Sequence, residues 1–254
     1  MEVGTVTPVG QPGNDSPRLF RLIPDEALIN RMGFNNEGAE AMADRLKGLK
    51  QRRIPVAVNI GRNKSTPNET AHEDYRKCIR TLYPYGDFFV VNISSPNTPD
   101  LRSLQHGNEL SKLLSEVKEE MAVQHSKSGT RKSLLVKIAP DVSDSELEFM
   151  VHTLSEAGVD GVIATNTTLS REGLTSDKAG ETGGLSGKPL RTGPRKLSAA
   201  FTARPAASCR LSAQAVYSAA RMRMTKSGQA QAWLKFIQRS SMKDQRLTAG
   251  CMQD

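Results

Sequence analysis

The chain has 254 residues, 37% of them hydrophobic, and a formal net charge of +8; that is enough for one barrel-sized domain with its own core. The basic excess sits in residues 191–254, with twelve Lys/Arg against two acids, while residues 1–190 carry 23 basic and 25 acidic residues, so the body gives no reason to expect nucleic acid. Cys78, Cys209 and Cys251 show no paired spacing and the four histidines are scattered, which argues against a disulfide framework and against a metal centre.

In chain order, residues 1–8 read as the end of a strand. Residues 30–36, Asn-Arg-Met-Gly-Phe-Asn-Asn, form a loop with glycine at its centre and amides on both sides. It suits a small polar ligand and suits an ordinary loop equally well. Residues 55–60 are a short apolar, β-branched run, followed by Gly61-Arg62-Asn63-Lys64. Residues 88–93 are a second apolar run, entering the polar turn Ser94-Ser95-Pro96-Asn97-Thr98. Leu110, Leu113, Leu114, Val117 and Met121 recur at helical spacing. A third strand is predicted over 134–138. Ser143-Asp144-Ser145-Glu146 is a capping-box pattern that opens a helix through Leu147, Met150, Val151 and Leu154 and stops at Gly158. Residues 161–165 make a further strand. Residues 183–187, Gly-Gly-Leu-Ser-Gly, read as a loop that exposes backbone N–H groups to an anion. Past Leu190 no strand-like run is expected; Trp233 to Ile237 offers one amphipathic turn in a weakly structured tail.

Apolar strands alternating with helices mean a parallel sheet covered by helices. A barrel and an open doubly wound sheet both satisfy the pattern. Each strand ends in its own polar group: Asn59, then Asn92 with Ser95, then Lys137, then Thr165 with Asn166. A barrel gathers ligands from many strand ends, whereas an open sheet concentrates them at one switch point. No G-x-G-x-x-G follows a strand. The fold class expected is therefore α/β, of the (β/α)8 barrel type.

Asn92 and Asn97 offer both donors and acceptors, so the pair can read a planar, amide-rich ring. Ser95 beside them is a nucleophile or a proton acceptor, although serine is a weak base unless its proton is relayed. Good turn chemistry alone also accounts for Ser-Ser-Pro-Asn. Lys137 is a Schiff-base nucleophile, a fixed positive charge, or a snorkelling strand-end lysine.

Seven motifs occur together: residues 4–8 (Gly-Thr-Val-Thr-Pro), 30–35, 59–64 (Asn-Ile-Gly-Arg-Asn-Lys), 92–98, 136–141 (Val-Lys-Ile-Ala-Pro-Asp), 165–168 (Thr-Asn-Thr-Thr) and 182–190. In this order and spacing the chain resembles the quinone-linked, class 2 dihydroorotate dehydrogenases, from residue 1 to about 191. The resemblance implies oxidation of (S)-dihydroorotate to orotate in de novo pyrimidine biosynthesis, with FMN as hydride acceptor and ubiquinone as electron acceptor. It implies that Ser95 is the base removing the C5 proton, serine marking the quinone class. It implies that Asn30, Arg31, Met32, Gly33, Phe34, Asn92, Asn97, Asn166 and Thr167 hold the substrate. Thr5, Asn59, Asn92, Lys137, Thr165 and Gly187 are implied to line the FMN. In eukaryotes the family sits at the mitochondrial inner membrane.

The pattern departs from the family at both ends. The membrane-associated helical segment, the first barrel strand and the last two βα units have no counterpart, leaving roughly five of eight strands. Residues 191–254 are expected to be an unrelated basic tail, separate from a partial barrel domain over 1–190. No signal peptide and no apolar run of the roughly 20 residues needed to span a bilayer is seen. The expectation is that this chain binds FMN weakly or not at all. The alternatives are a catalytically inactive truncated product and a Schiff-base aldolase barrel using Lys137.

Overall fold

The computed structural model describes residues 1–49, 54–191 and 210–212. The chain opens with β1 (Glu2–Val6) and a short β2 (Val9–Gln11). A hairpin of β3 (Leu19–Leu22) and β4 (Ala27–Asn30) follows, and β5 (Asn36–Gly38) leads into α1 (Ala39–Lys47). Strand and helix then alternate: β6 (Ala57–Ile60), α2 (Ala71–Leu82), β7 (Phe88–Asn92), α3 (Gly107–Ser128), β8 (Ser133–Ile138), α4 (Asp144–Glu156) and β9 (Gly161–Ala164). Two more strands complete the described chain, β10 (Gly184–Gly187) and β11 (Arg210–Ser212).

The main sheet runs β1-β6-β7-β8-β9-β11 with every pair parallel. In this sheet the strand order follows chain order, with α1 to α4 in the four crossovers from β1 to β9, which is the winding of a barrel wall. The predicted strands at 55–60, 88–93, 134–138 and 161–165 all lie in it. The capping box forms as read: Ser143 Oγ accepts the Glu146 amide and the Glu146 carboxylate accepts the Ser143 amide.

Two expectations need correction. β11 lies in a stretch where no strand was foreseen. Arg-Leu-Ser has one apolar residue and no alternation to detect; its place comes from pairing with β9 at Gly161, Val162 and Ile163. The amphipathic turn expected over 233–237 and most of the tail lie outside the described residues. The glycine-rich run 183–187 is likewise a strand rather than an anion-binding loop. β10 pairs antiparallel with β4, from Gly184 opposite Asn30 to Gly187 opposite Ala27, in a sheet of order β10-β4-β3. Its glycines are there for close approach. A Cβ on Gly184 would meet Thr167 Oγ1 at 2.0 Å, and one on Gly183 would meet the Asn30 carbonyl oxygen at 2.3 Å.

The faces of the main sheet have different jobs. Val58, Ile60, Phe89, Val91, Leu134, Val136, Ile138, Val162 and Ala164 pack against the helices in one large core. The alternate residues Ala57, Phe88, Val90 and Ile163, with Leu135, form a separate cluster on the inner face. Two-residue alternation carries each inner row forward to the carboxyl end. Ala57 leads to Asn59, Phe88 and Val90 to Asn92, Leu135 to Lys137, and Ile163 to Thr165. Asn92 and Lys137 stand opposite each other in register.

β1 needs a bulge to obey this pattern. Val3 pairs with Val58 and Val6 with Ile60, so three residues of β1 span two of β6. The extra residue reverses the alternation. Val6 thereby joins the helix-facing core, and Thr5 turns inward to face Asn59. Gly4 stands at the bulge with φ of +119°, where a Cβ would lie 2.3 Å from the Asn59 carbonyl oxygen.

α2 and α3 are joined by a buried carboxylate. Glu120, 2% exposed, accepts from Arg80 Nη2 at 2.7 Å, Gln124 Nε2 at 2.7 Å and Arg76 Nε at 3.4 Å. Burial pushes its carboxyl up, but the bonds from Arg80, Gln124 and Arg76 outweigh that and hold it below the usual range. A depressed carboxylate stabilises the fold above its unfolded pKa of about 4.3, and that contribution is lost as pH falls through the folded value. Glu120→Gln is therefore expected to flatten the acid limb of a stability–pH curve below about pH 4.3. Urea unfolding between neutral and acid pH reads this directly; an unchanged acid limb would contradict it.

Candidate active site

The inner-face polar residues converge on one pocket at the carboxyl ends of the strands. Glu2, Gly4, Thr5, Asn59, Asn92 and Lys137 come from the strands themselves. Ser95, Pro96 and Asn97 come from the loop after β7, and Asn166 and Thr167 from the loop after β9. Asn30, Met32, Gly33 and Phe34 close the pocket from the end of β4.

A chain of hydrogen bonds runs along the floor. Lys137 Nζ and Asn59 Nδ2 both donate to Glu2 Oε1, at 3.0 and 2.7 Å. Thr5 Oγ1 donates to Asn59 Oδ1 at 2.7 Å, and Asn92 Nδ2 donates to Thr5 Oγ1 at 2.9 Å. Ser94 Oγ donates to Asn92 Oδ1 at 2.9 Å, and Asn166 Nδ2 donates to Ser94 Oγ at 2.9 Å. The Tyr75 hydroxyl, fully buried, fixes the end of β7 by donating to the Asn92 carbonyl at 2.9 Å. Burial raises the pKa of that phenol well beyond its ordinary value, so it remains a donor.

The wall opposite is tied to the Ser95 loop. Asn97 Nδ2 donates to the Asn30 carbonyl at 3.0 Å and to Asn30 Oδ1 at 3.3 Å. Ser95 Oγ accepts the Asn97 amide at 3.2 Å and is 5% exposed. Thr167 donates its amide to Asn166 Oδ1 at 2.8 Å.

Of the residues singled out in the sequence, Ser95, Asn30, Met32, Gly33, Phe34, Asn92, Asn97, Asn166, Thr167, Thr5, Asn59 and Lys137 all line this pocket. Three do not. Arg31 points away, pairing with Glu181 at 2.9 Å and lying over the Phe20 ring. Thr165 is fully buried, its hydroxyl donating to the Asn166 carbonyl. Gly187 ends β10 opposite Ala27, away from the pocket lining.

Sequence reasoning missed four residues. Glu2 faces inward because it pairs with Ala57 ahead of the bulge. Asn14 Nδ2 donates to the carbonyls of Arg31 and Asn97, each at 3.1 Å, and so clips the two walls together. Arg102 clamps three loops: Nε to the Ser94 carbonyl at 3.0 Å, Nη2 to the Thr167 carbonyl at 2.9 Å, and Nη1 to Asp141 Oδ2 at 2.8 Å. Asp141 in turn accepts from Thr168 Oγ1 and from the Leu169 amide. The Pro-Asp pair after β8 was the one visible hint of this role.

A family model described as "Dihydroorotate dehydrogenase" matches residues 1–203. This chain belongs to the dihydroorotate dehydrogenase family. The match runs past residue 191, where the sequence pattern suggested that the likeness stops. The chain is 55% identical over 191 residues to the dihydroorotate dehydrogenase (quinone) of Idiomarina loihiensis, covering 75% of this chain and 57% of that one. It is 50% identical over 198 residues to the dihydroorotate dehydrogenase (quinone) of Marinobacter nauticus, covering 78% and 58%. It is similar to the crystal structure of DHODH from Eimeria tenella in complex with ferulenol, at 38% identity and a TM-score of 0.75, over 84% of this chain and 62% of that one. The chain thus spans somewhat more than half the length of these dihydroorotate dehydrogenases. Among the described residues no helix is long and apolar enough to cross a membrane.

The clamp makes Arg102 a structural requirement of this pocket. Arg102→Ala removes three charge-assisted bonds and is expected to lower unfolding free energy by about 2 kcal/mol. Amide exchange should quicken in residues 94–98 and 167–169 and stay unchanged in α2 and α3. Uniform quickening across the domain would contradict a local clamp.

Proposed function

We propose that this chain carries the substrate half of a quinone-linked dihydroorotate dehydrogenase site, oxidising (S)-dihydroorotate to orotate with FMN and passing the electrons to ubiquinone. The observation that carries the reading is one pocket holding Ser95, four asparagines (Asn30, Asn92, Asn97 and Asn166) and Lys137 at the carboxyl ends of parallel strands. Four amides lining one pocket match the ring carbonyls, ring N–H groups and carboxylate of the substrate. Ser95 is assigned the C5 proton. Its hydroxyl has no charged neighbour among its hydrogen-bond partners, so the proton needs a relay beyond Oγ.

The donor set also fits FMN. Lys137, paired with Glu2, has N–H donors left over, and Asn59, Thr5 and Asn92 offer donors and acceptors on the same face, which suits the N1–C2 edge of a flavin. When bound, FMN supplies the acceptor for the C6 hydride. Thr165 and Gly187 are not in the lining and are left out of this assignment. The glycine-rich run 183–187 is engaged in β10, so the phosphate finds no free glycine turn there. Weak FMN binding is retained as part of the proposal. The quinone partner places the reaction at a membrane, and the mitochondrial inner membrane applies where the source is eukaryotic. Reading Lys137 as a Schiff-base aldolase nucleophile draws no support from the family match.

Flavin absorbance tests these points. The chain is expected to purify without stoichiometric yellow flavin; a stoichiometric yellow protein would refute weak binding. With saturating FMN under anaerobic conditions, dihydroorotate should bleach the flavin band. Ser95→Ala should slow that bleaching by about 100-fold. Bleaching at an unchanged rate removes Ser95 as the base, and no bleaching in the parent chain favours an inactive product.

A further inference from the structure

Three walls stand around the pocket floor: the Ser95 loop after β7, the loop after β9, and residues 30–34 at the end of β4. Asn59, Asn92 and Ser95 are each 5% exposed or less, so a ligand that meets them is enclosed. Its entry and release need two walls to part. We propose that Asn14 latches the seam that opens, and so sets the rates of ligand entry and release without touching the ligand.

The seams differ in what holds them. Between the Ser95 loop and the loop after β9, the Arg102 guanidinium grips the carbonyls of Ser94 and Thr167. Between the loop after β9 and β4, backbone does the holding. Thr168 and Leu185 exchange both N–H···O bonds, at 3.0 and 2.7 Å, and β10 is laddered to β4. Across the third seam, between the Ser95 loop and residues 30–34, only neutral side-chain amides reach among the described residues. Asn97 Nδ2 donates to Asn30, and Asn14 Nδ2 donates to the Asn97 carbonyl. A bond from a charged donor is roughly twice as strong as a neutral one, and a paired strand holds by several bonds at once. The third seam is therefore the weakest.

Asn14 is placed to span that seam. Its backbone belongs to the wall at 30–34, its N–H donating to the Met32 carbonyl at 3.0 Å. Its side chain crosses over. Nδ2 carries two N–H groups and makes two bonds, to the carbonyls of Arg31 and Asn97. Carbonyls only accept. Lys64 Nζ, which only donates, meets Oδ1 at 3.1 Å, so the amide cannot turn over. Gly33 leaves the room: a Cβ there would lie 2.7 Å from Asn14 Cγ. Asn14 stands outside the pocket lining, whereas Asn97 is part of it, so a change at Asn14 alters the seam and spares the ligand contacts. A latch that is the same with the pocket empty or filled stabilises both closed states equally. Its loss raises association and dissociation rates together and leaves the dissociation constant in place.

The ligand part of this inference rests on the function proposed above; the weak seam rests on geometry alone. The test uses the full 15N-labelled chain, with amide hydrogen exchange and the kinetics of orotate exchange both read by NMR. Asn14→Ala is expected to quicken exchange of the Met32 and Asn97 amides about fivefold and to leave those of Thr168 and Leu185 unchanged. Orotate association and dissociation should both speed up about fivefold, with the dissociation constant moving by less than about twofold. Should Asn14→Ala fail to fold, Asn14→Asp keeps the size and the Lys64 contact but turns an acceptor toward the Arg31 and Asn97 carbonyls, and the same changes are expected. Unchanged exchange at Met32 and Asn97 would overturn the latch, as would equal quickening at Thr168 and Leu185. A higher dissociation constant carried by dissociation alone would make Asn14 part of the bound site and overturn its gating role. Absence of orotate binding by the parent chain would reject the functional reading, while exchange at Met32 and Asn97 still decides the latch.

Discussion

The two-residue alternation of a parallel strand is the constraint on which the rest of this protein depends. One row of each strand is spent on the helix-facing core and the other on the inner face. In β6 and β7 the inner row is apolar until its last position, where it turns polar, and in β8 Leu135 gives way to Lys137. Parallel strands bring those last positions to the same end, so Asn59, Asn92 and Lys137 meet without any long-range design. β1 is the informative exception. Without its bulge, Thr5 would face the helices and Val6 the pocket. One extra residue exchanges them, and glycine is required at position 4 because the Asn59 carbonyl leaves no room for a side chain.

This explains what the sequence could reveal. Short apolar runs ending in an amide or ammonium were visible because run and polar cap lie within six residues of each other. The two helices with regular leucine spacing and the capping box were visible for the same reason. α2 was not singled out, since its buried stripe, Ala71, Tyr75, Cys78, Ile79 and Leu82, is scattered among charged residues. Glu2 was missed, and Thr5 came from the family resemblance alone, because a bulge leaves no local mark in a five-residue strand. The Gly183–Gly187 run looked like an anion loop because glycine serves close strand packing and open turns alike. β11 is a three-residue strand placed by its neighbour rather than by its own composition. Arg102 and Asn14 act between loops far apart in the chain, and nothing in a linear pattern marks such a clamp.

The charges around the pocket share a feature that bears on recognition. Lys137 is paired with Glu2, Arg102 with Asp141 and Arg31 with Glu181. Each cation already has a carboxylate, so an anionic ligand meets no uncompensated positive charge from these three. Amides must then do much of the discriminating, and an amide discriminates only if its orientation is fixed. Hydrogen-bonding sites reject mismatched ligands strongly because a buried donor left unpaired is costly. A floor whose polarity could reverse would forfeit that selectivity. The backbone N–H groups of Ser94 and Thr167 prevent the reversal at Asn92 and Asn166, and the Glu2 carboxylate does so at Asn59, reaching the floor because β1 pairs Glu2 with Ala57 on the inner row. Backbone geometry and chemical specificity are thus joined along the floor.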